Sequence, residues 1–488
     1  MTFRIISILL LLMTYSRGYS QFVMTKNVEM AWDHILELKP DSALRYLETE
    51  KLSTPLNPSS FYYSHYALFL QALISGDVSD YNRFNEEAEI LTMAIRDSDP
   101  HHPEYLYFLS SMHLQKTFLN VYHGEFWQAI RDLYVARRMI RQNSQDWPGF
   151  IPNLKIAGII ELLISSVPEN YHWIFNCLGM NAELQEAIGK LEKYYAICSP
   201  EDKPEALTIL ALAYGQILPD KDKAYKLLKE CDEAFMLKAV SRLLLAFYAS
   251  KTGHASEAAG LLEPANQPDR IWCDQAVLLL GITRLNMLEK DAGMYLEYFL
   301  DHYKGTNLVR IACHKLSWHY LIRGDTALYI SYKQKVLSEG SDLLSADKQA
   351  TAEASGNAMP DVQLLKARLL FDAGLYDRAL EILHNINVNE LESDRNNIEY
   401  TYRFARVCHE LNMIGRAKEL YLKVLSGNAV PDAYFAPYSA LQLGLIAEQE
   451  GNDEEAKMFY ETCLELNRGQ YRSGIDREAK NRLESLKN

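Results

Sequence analysis

Glycine and proline are scarce in this chain, 23 and 16 of 488 residues. That excludes collagen-like and low-complexity architectures. A hydrophobic fraction of 48% excludes a disordered chain. Basic residues are outnumbered, 50 Lys and Arg against 64 Asp and Glu, for a formal net charge of −14. Nucleic-acid binding relies on a basic face to displace counterions from phosphate, so it is not expected. Cysteine is sparse and odd in number, with seven residues: Cys177, Cys198, Cys231, Cys273, Cys313, Cys408 and Cys463. None stands in a CxxC pair, which leaves redox and zinc motifs unsupported. They are too few for a disulfide framework and are expected to be mostly small apolar packing residues on helices.

Long apolar runs are missing too. Ile5 to Met13 follows a short basic start at Arg4, and Gly18-Tyr19-Ser20 places small residues at −3 and −1 of a cleavage. Residues 1–20 therefore read as a secretory signal peptide cut after Ser20. The run is shorter than the ~20 apolar residues that a bilayer span needs. Gln21, not a cysteine, follows the cut, which disfavours a lipid anchor. The most apolar later stretch, 156–167, is interrupted by Glu161 and fits a core helix. The product is expected to be exported without a transmembrane span, periplasmic in a Gram-negative cell and otherwise secreted.

The sequence also lacks the usual chemistry. Gly189-Lys190 is followed by Leu191, so no P-loop is present, and there is no GxGxxG, GxSxG or HExxH. His101-His102 lies between two prolines, and adjacent residues of an extended segment point apart, so no metal site is expected. No cofactor and no catalysis are expected. A helical enzyme with a carboxylate cavity would have to use Glu161, which a buried salt bridge explains as well. Arg131, Arg137, Arg138 and Arg141 form a basic stripe that reads as a solvated helix face. Tyr62, Tyr66 and Phe69 share one helical face and read as packing knobs.

What the chain does have is a repeat. Ala367, Gly374, Ala379 and Leu383 recur as Ala405, Asn412, Ala417 and Tyr421, and again as Gly444, Gly451, Ala456 and Tyr460. A small residue is followed seven positions on by a turn residue, five later by alanine, and four later by a bulky apolar side chain. Two antiparallel helices approach closely only where a small side chain faces the partner, and the bulky residue one turn later fills the groove beside it. Weaker copies stand at Gly253 with Ala258 and Leu262, at Leu280-Gly281, at Gly324, at Gly124 with Ala129 and Leu133, at Ala187 with Leu191, at Ala224 with Leu228 and at Ala43 with Leu47. No alternating strand pattern is visible.

These units resemble the tetratricopeptide repeat family, a 34-residue helix–turn–helix with small and large residues at these places. The resemblance implies an all-α, helical-hairpin solenoid, an α-α superhelix. An irregular helical N-terminal region is expected at 21–200 and a more regular array at 201–488. The polar stretch 338–360 interrupts the register, as a hinge or as an extra short helix from Ala346 to Ser355. A fainter resemblance over 124–195, on IPNLKIAGIIELLISSVPENYHWIFNCLGMNAELQEAIGKLEKYY, is similar to the tetratricopeptide repeat protein 39 and inclusion-body-clearance family. There an apolar helix, a Pro-containing turn and a short Leu-Gly segment precede the next repeat.

In such repeats the first helix of each hairpin lines the concave surface. Aligned on the alanines, Arg368 and Arg406 occupy equivalent positions, with Leu364, Tyr402, His409 and Leu441 on the same inner face. These six residues form the candidate peptide-binding groove. Two guanidiniums there would hold a carboxylate or an acidic peptide. The competing expectation is an internal salt bridge to Asp372, Glu399 or Glu410. The upstream inner positions Leu243, Phe247, Leu278, Ile282 and Trp318 are apolar and are expected to be covered. Lysine and asparagine pairs that clamp chaperone tails are absent from these positions. The sequence thus points to a non-catalytic scaffold for an unidentified protein or peptide. An envelope glycan- or nutrient-binding protein is the alternative, and a helical enzyme the second.

Overall fold

The computed structural model describes residues 22–167, 171–218, 220–231, 233–263, 273–356, 358–391, 393–427, 434–466 and 472–486. The expected signal peptide at 1–20 lies outside them. Among the described residues regular structure is helical throughout, with no strand. The α-helices in order are α1 (Lys26–Leu36), α2 (Pro40–Ser53), α3 (Pro58–Ser75), α4 (Val78–Arg96), α5 (Pro103–Tyr122), α6 (Phe126–Asp146), α7 (Pro152–Ser165), α8 (His172–Cys177), α9 (Leu184–Ile197), α10 (Lys203–Leu212), α11 (Lys221–Lys229), α12 (Glu233–Met236) and α13 (Ala239–Lys251). They continue as α14 (Ala255–Leu262), α15 (Asp274–Asn286), α16 (Ala292–His302), α17 (Val309–Ile322), α18 (Thr326–Ser338), α19 (Ser345–Ala354), α20 (Val362–Asp372), α21 (Tyr376–His384), α22 (Asp394–Glu410), α23 (Ile414–Ser426), α24 (Phe435–Gln449), α25 (Asp453–Leu466) and α26 (Arg472–Ser485).

The chain divides into two compact units. The first holds the described parts of Met1–Tyr248, Arg270–Gln275 and Tyr303–Thr306; the second holds those of Ala249–Asp269, Ala276–His302 and Asn307–Asn488. Residues 199–204 fall inside the first unit.

In the first unit α1/α2, α3/α4, α5/α6 and α10/α11 pair as hairpins, and α7 pairs with α9 across the short α8. Sequence sets the ends of these helices. Asn57 accepts from the backbone N–H of Ser59 at 3.1 Å and Pro58 opens α3, while Gly76 closes it with φ +61°. The aromatic face of α3 packs inward, as its periodicity predicts. Tyr62 is buried and stacks on Phe108, centroids 4.0 Å apart, and its hydroxyl lies 3.0 Å from Ser111 Oγ. Tyr66 and Phe69 pack against the same core. His102 caps α5 by accepting from Glu104 N–H and stacks on Phe22. Glu161 is ion-paired with Lys190.

In the second unit α17/α18, α20/α21, α22/α23 and α24/α25 are hairpins, and α26 packs on α24 and α25. The notches sit where the spacing places them. Ala379, Ala417 and Ala456 have no exposed surface, nor do Leu383, Tyr421 and Tyr460 one turn on. Facing them, Ala367 and Ala405 are buried, and a Cβ on Gly444 would fall 2.4 Å from the Tyr460 ring. The turn residue of each hairpin is left-handed: Gly374 at φ +75°, Asn412 at +59° and Gly451 at +76°. Asparagine serves the middle one because its short amide tolerates that region.

The turn at Gly253 lies against the turn at Gly374, with Ala255 N–H donating to Ala373 O at 3.4 Å. A Cβ on Gly374 would stand 1.8 Å from Gly253 O, so this approach requires a bare backbone at Gly374. The register break contains a helix, α19, one residue earlier than Ala346–Ser355. It packs on α17 and α18. Its buried Asp347 accepts from Leu308 N–H at 2.7 Å and Ile311 N–H at 3.0 Å, capping α17 from outside the repeat.

Five of the seven cysteines are buried, Cys231 is half-buried and Cys177 is exposed. Burial pushes the thiols of Cys313 and Cys463 up to about 12, which suits packing and not nucleophilic chemistry. No helix of the described residues is long and apolar enough to cross a membrane.

Candidate functional site

The first helices of the second unit carry a recurring pair, a base at one position and a ring three residues on: Lys315 and Trp318 on α17, Arg368 and Phe371 on α20, Arg406 and His409 on α22. That spacing puts both members on one helical face. The hairpins then interleave them. Lys315 Nζ lies 3.9 Å from the Trp318 centroid and the Arg368 guanidinium carbon 4.8 Å from it. The guanidinium carbon of Arg406 sits 4.5 Å from the Phe371 ring and 4.8 Å from Tyr438 of α24. The result is a ladder of alternating cations and rings along one face, each contact contributing about 0.5–2 kcal/mol depending on its desolvation.

The cations are not equally committed. Arg368 donates to both oxygens of Glu353, at 3.1 and 3.0 Å. Burial pushes the Glu353 carboxyl up, but Arg368, His314 and Lys315 override it and hold it well below the usual carboxylate range. His314 Nε2 is 3.9 Å from Glu353, and burial drives that imidazole down to about 3, so it is neutral at pH 7. Burial, with repulsion from Arg368, lowers the Lys315 amine to about 8. Arg403, deeper in the hairpin, is ion-paired with Glu399. Among the described residues Arg406 has only Tyr402 Oη at 3.3 Å and Glu410 at 4.0 Å, and its buried Nε lacks a hydrogen-bond partner.

Of the six residues that the sequence puts in the groove, Leu364, Tyr402 and Leu441 are buried, 1%, 3% and 0% exposed. They belong to the hairpin interior, with Tyr402 packed among Tyr434, Phe435 and Tyr438. Arg368, Arg406 and His409 reach the face as half-buried side chains. His409 Nδ1 lies 3.4 Å from Tyr421 Oη, and burial lowers its pKa. Arg368 is in a salt bridge, but with Glu353 and not with Asp372, Glu399 or Glu410. Trp318 and Leu278 are buried, and Leu243, Phe247 and Ile282 are half-buried, so none of the apolar inner positions is exposed.

Glu353 and Lys315 escaped the sequence reading. A visible sign existed: Lys315 and Arg368 are 53 residues apart, whereas Arg368 and Arg406 are 38 apart. The difference is the inserted α19, which supplies Glu353.

Residues 438–470 match the tetratricopeptide repeat family. Comparison with curated proteins gives no match. Among solved structures, the human IFIT1 dimer with PPP-AAAA is similar at 16% identity over 90% of this chain and 81% of that one, with a TM-score of 0.28. The yeast Tom70 structure is similar at 13% identity over 94% and 95%, also with a TM-score of 0.28. The repeat assignment rests on the family match and on the hairpin geometry, not on these two likenesses.

Proposed function

We propose that this chain, with a matched tetratricopeptide-repeat unit at 438–470 and the same notch-and-turn geometry in the two hairpins before it, is an exported, non-catalytic scaffold that binds an acidic segment of a partner protein on the cation–ring ladder. One observation carries this reading: Arg406 is pinned between Phe371 and Tyr438 with its guanidinium only partly satisfied. A rigid, preoriented guanidinium loses little freedom on accepting a carboxylate. Lys315 extends the site beyond the Arg368–Glu353 pair. A nucleic acid fits less well, because the ladder's Arg368 and Arg406 stand beside Glu353 and Glu410 and the chain carries a net −14. Catalysis finds no support in the ladder, whose acids are tied to arginines. Export rests on the sequence of residues 1–20 alone.

The test is fluorescence anisotropy of a labelled peptide of alternating Glu and Tyr with the full chain. Binding should weaken about tenfold in Arg406→Ala, as expected for a lost charge-assisted pair. It should also fall as pH rises through about 8, where Lys315 loses its charge. Unchanged affinity in Arg406→Ala removes the reading.

A further inference from the structure

A second basic site lies in the first unit, on helices the ladder does not use. Between α6, α7 and α9 is a half-open cavity of about 240 Å³, lined among others by Arg137, Arg141, Glu161 and Lys190. Its inner wall is apolar: Ile140 and Ile160 are buried, and Ala157 lies beside them. The sequence reads these arginines as a solvated stripe, yet the two that share a face at i and i+4 border this half-open cavity.

The charges around it are unevenly used. Arg137 donates to Gly179 O at 2.5 Å and Asn181 O at 3.0 Å, backbone carbonyls that follow α8. Lys190 is engaged with Glu161 across the cavity. Arg141, one turn from Arg137, has no ion pair or hydrogen bond among the described residues and stands exposed at the mouth. Burial, and then repulsion from Arg141, lowers the Arg137 pKa. An anion seated here would relieve that repulsion.

We propose that this cavity binds a small amphipathic monocarboxylate, its apolar body against Ile140, Ala157 and Ile160 and its carboxylate on the Arg141 guanidinium. The planar fork of an arginine matches a carboxylate with two parallel N–H donors. A single negative charge fits because one cation is uncommitted and Glu161 is on the wall, where it repels a dianion. The volume is below the roughly 300–1,000 Å³ of sites for drug-sized ligands, so the body is small.

Calorimetric titration of the full chain with 4-phenylbutyrate tests this site independently of the ladder, with which it shares no residue. Wild type should bind 4-phenylbutyrate more tightly than inorganic phosphate, and the neutral 4-phenylbutyramide should bind about tenfold more weakly. Arg141→Gln should weaken 4-phenylbutyrate about tenfold. Arg131→Gln, on an exposed position of the same helix outside the cavity, should leave it within about twofold. Circular dichroism of both variants checks that each still folds. Equal affinity in Arg141→Gln, tighter binding of phosphate, or no binding at up to about 10 mM would overturn the proposal.

Discussion

Arg368 holds Glu353 through both terminal nitrogens, at 3.1 and 3.0 Å, although Glu353 stands on a helix that the repeat itself does not contain. The two side chains are 18% and 12% exposed. Removing one partner leaves the other charge in a poorly solvated place, next to Lys315. Glu353→Ala should therefore destabilise the chain by about 2–3 kcal/mol, while Glu353→Met with Arg368→Met should recover much of that loss. Urea midpoints of the two variants decide it: a double variant no more stable than Glu353→Ala is against this account.

Gly374 and Gly451 share nearly the same backbone angle, φ +75° and +76°, but differ in their surroundings. A Cβ at Gly374 meets Gly253 O, whereas a Cβ at Gly451 meets nothing within 4 Å. Gly451→Ala should cost about 1 kcal/mol for the left-handed conformation alone. Gly374→Ala should cost at least about 2 kcal/mol more, because two turns must separate. Parallel denaturation curves with equal midpoints would contradict the Gly253 contact.

Ala417 fills a notch of zero exposed area facing α22. Ala417→Leu should overpack it at a cost of about 1–3 kcal/mol and loosen the hairpin. Hydrogen exchange should rise in α22 and α23 first; uniform protection in that variant would show that the notch is not close-packed.

His65 is fully buried and donates through Nδ1 to Gln115 Oε1 at 2.6 Å. Burial pushes its pKa down to about 3 against the opposing hydrogen bond, with Lys116 and His113 lowering it and Asp132 raising it. An unfolded chain takes up this proton near pH 6.5, and the folded one does not. Stability is thus complete above about pH 6.5 and is lost as pH falls toward 3, by on the order of 3 kcal/mol between pH 6.5 and 4. An NMR titration should find the His65 ring neutral at pH 5, and a midpoint near 6.5 would refute the assignment.

The hairpins were legible because their signals are local and repeated. Ala379, Ala417 and Ala456 mark the close contacts, and Gly374, Asn412 and Gly451 mark the turns. The extra helix at Ser345–Ala354 was legible as one of two alternatives for a stretch that breaks the register. The wall of the candidate groove was less so. Leu364, Tyr402 and Leu441 share the inner half of their helices with Arg368 and Arg406. A step of about 100° per residue separates interior from surface, and sequence alignment does not resolve where the neighbouring hairpin cuts off solvent. The partner of Arg368 was hidden for a different reason. Pairing rules within a repeat look to Asp372, Glu399 or Glu410, and the acid that binds it comes from outside the repeat.

The contact between the turns at Gly253 and Gly374 bears on how the second unit comes apart. A plain stack of hairpins sheds its members from either end, each held only by its immediate neighbours. Here two stations more than a hundred residues apart in the chain are fastened backbone to backbone. The stretch between them is tied off like a loop of cord, so its hairpins should lose their structure together and not one after another.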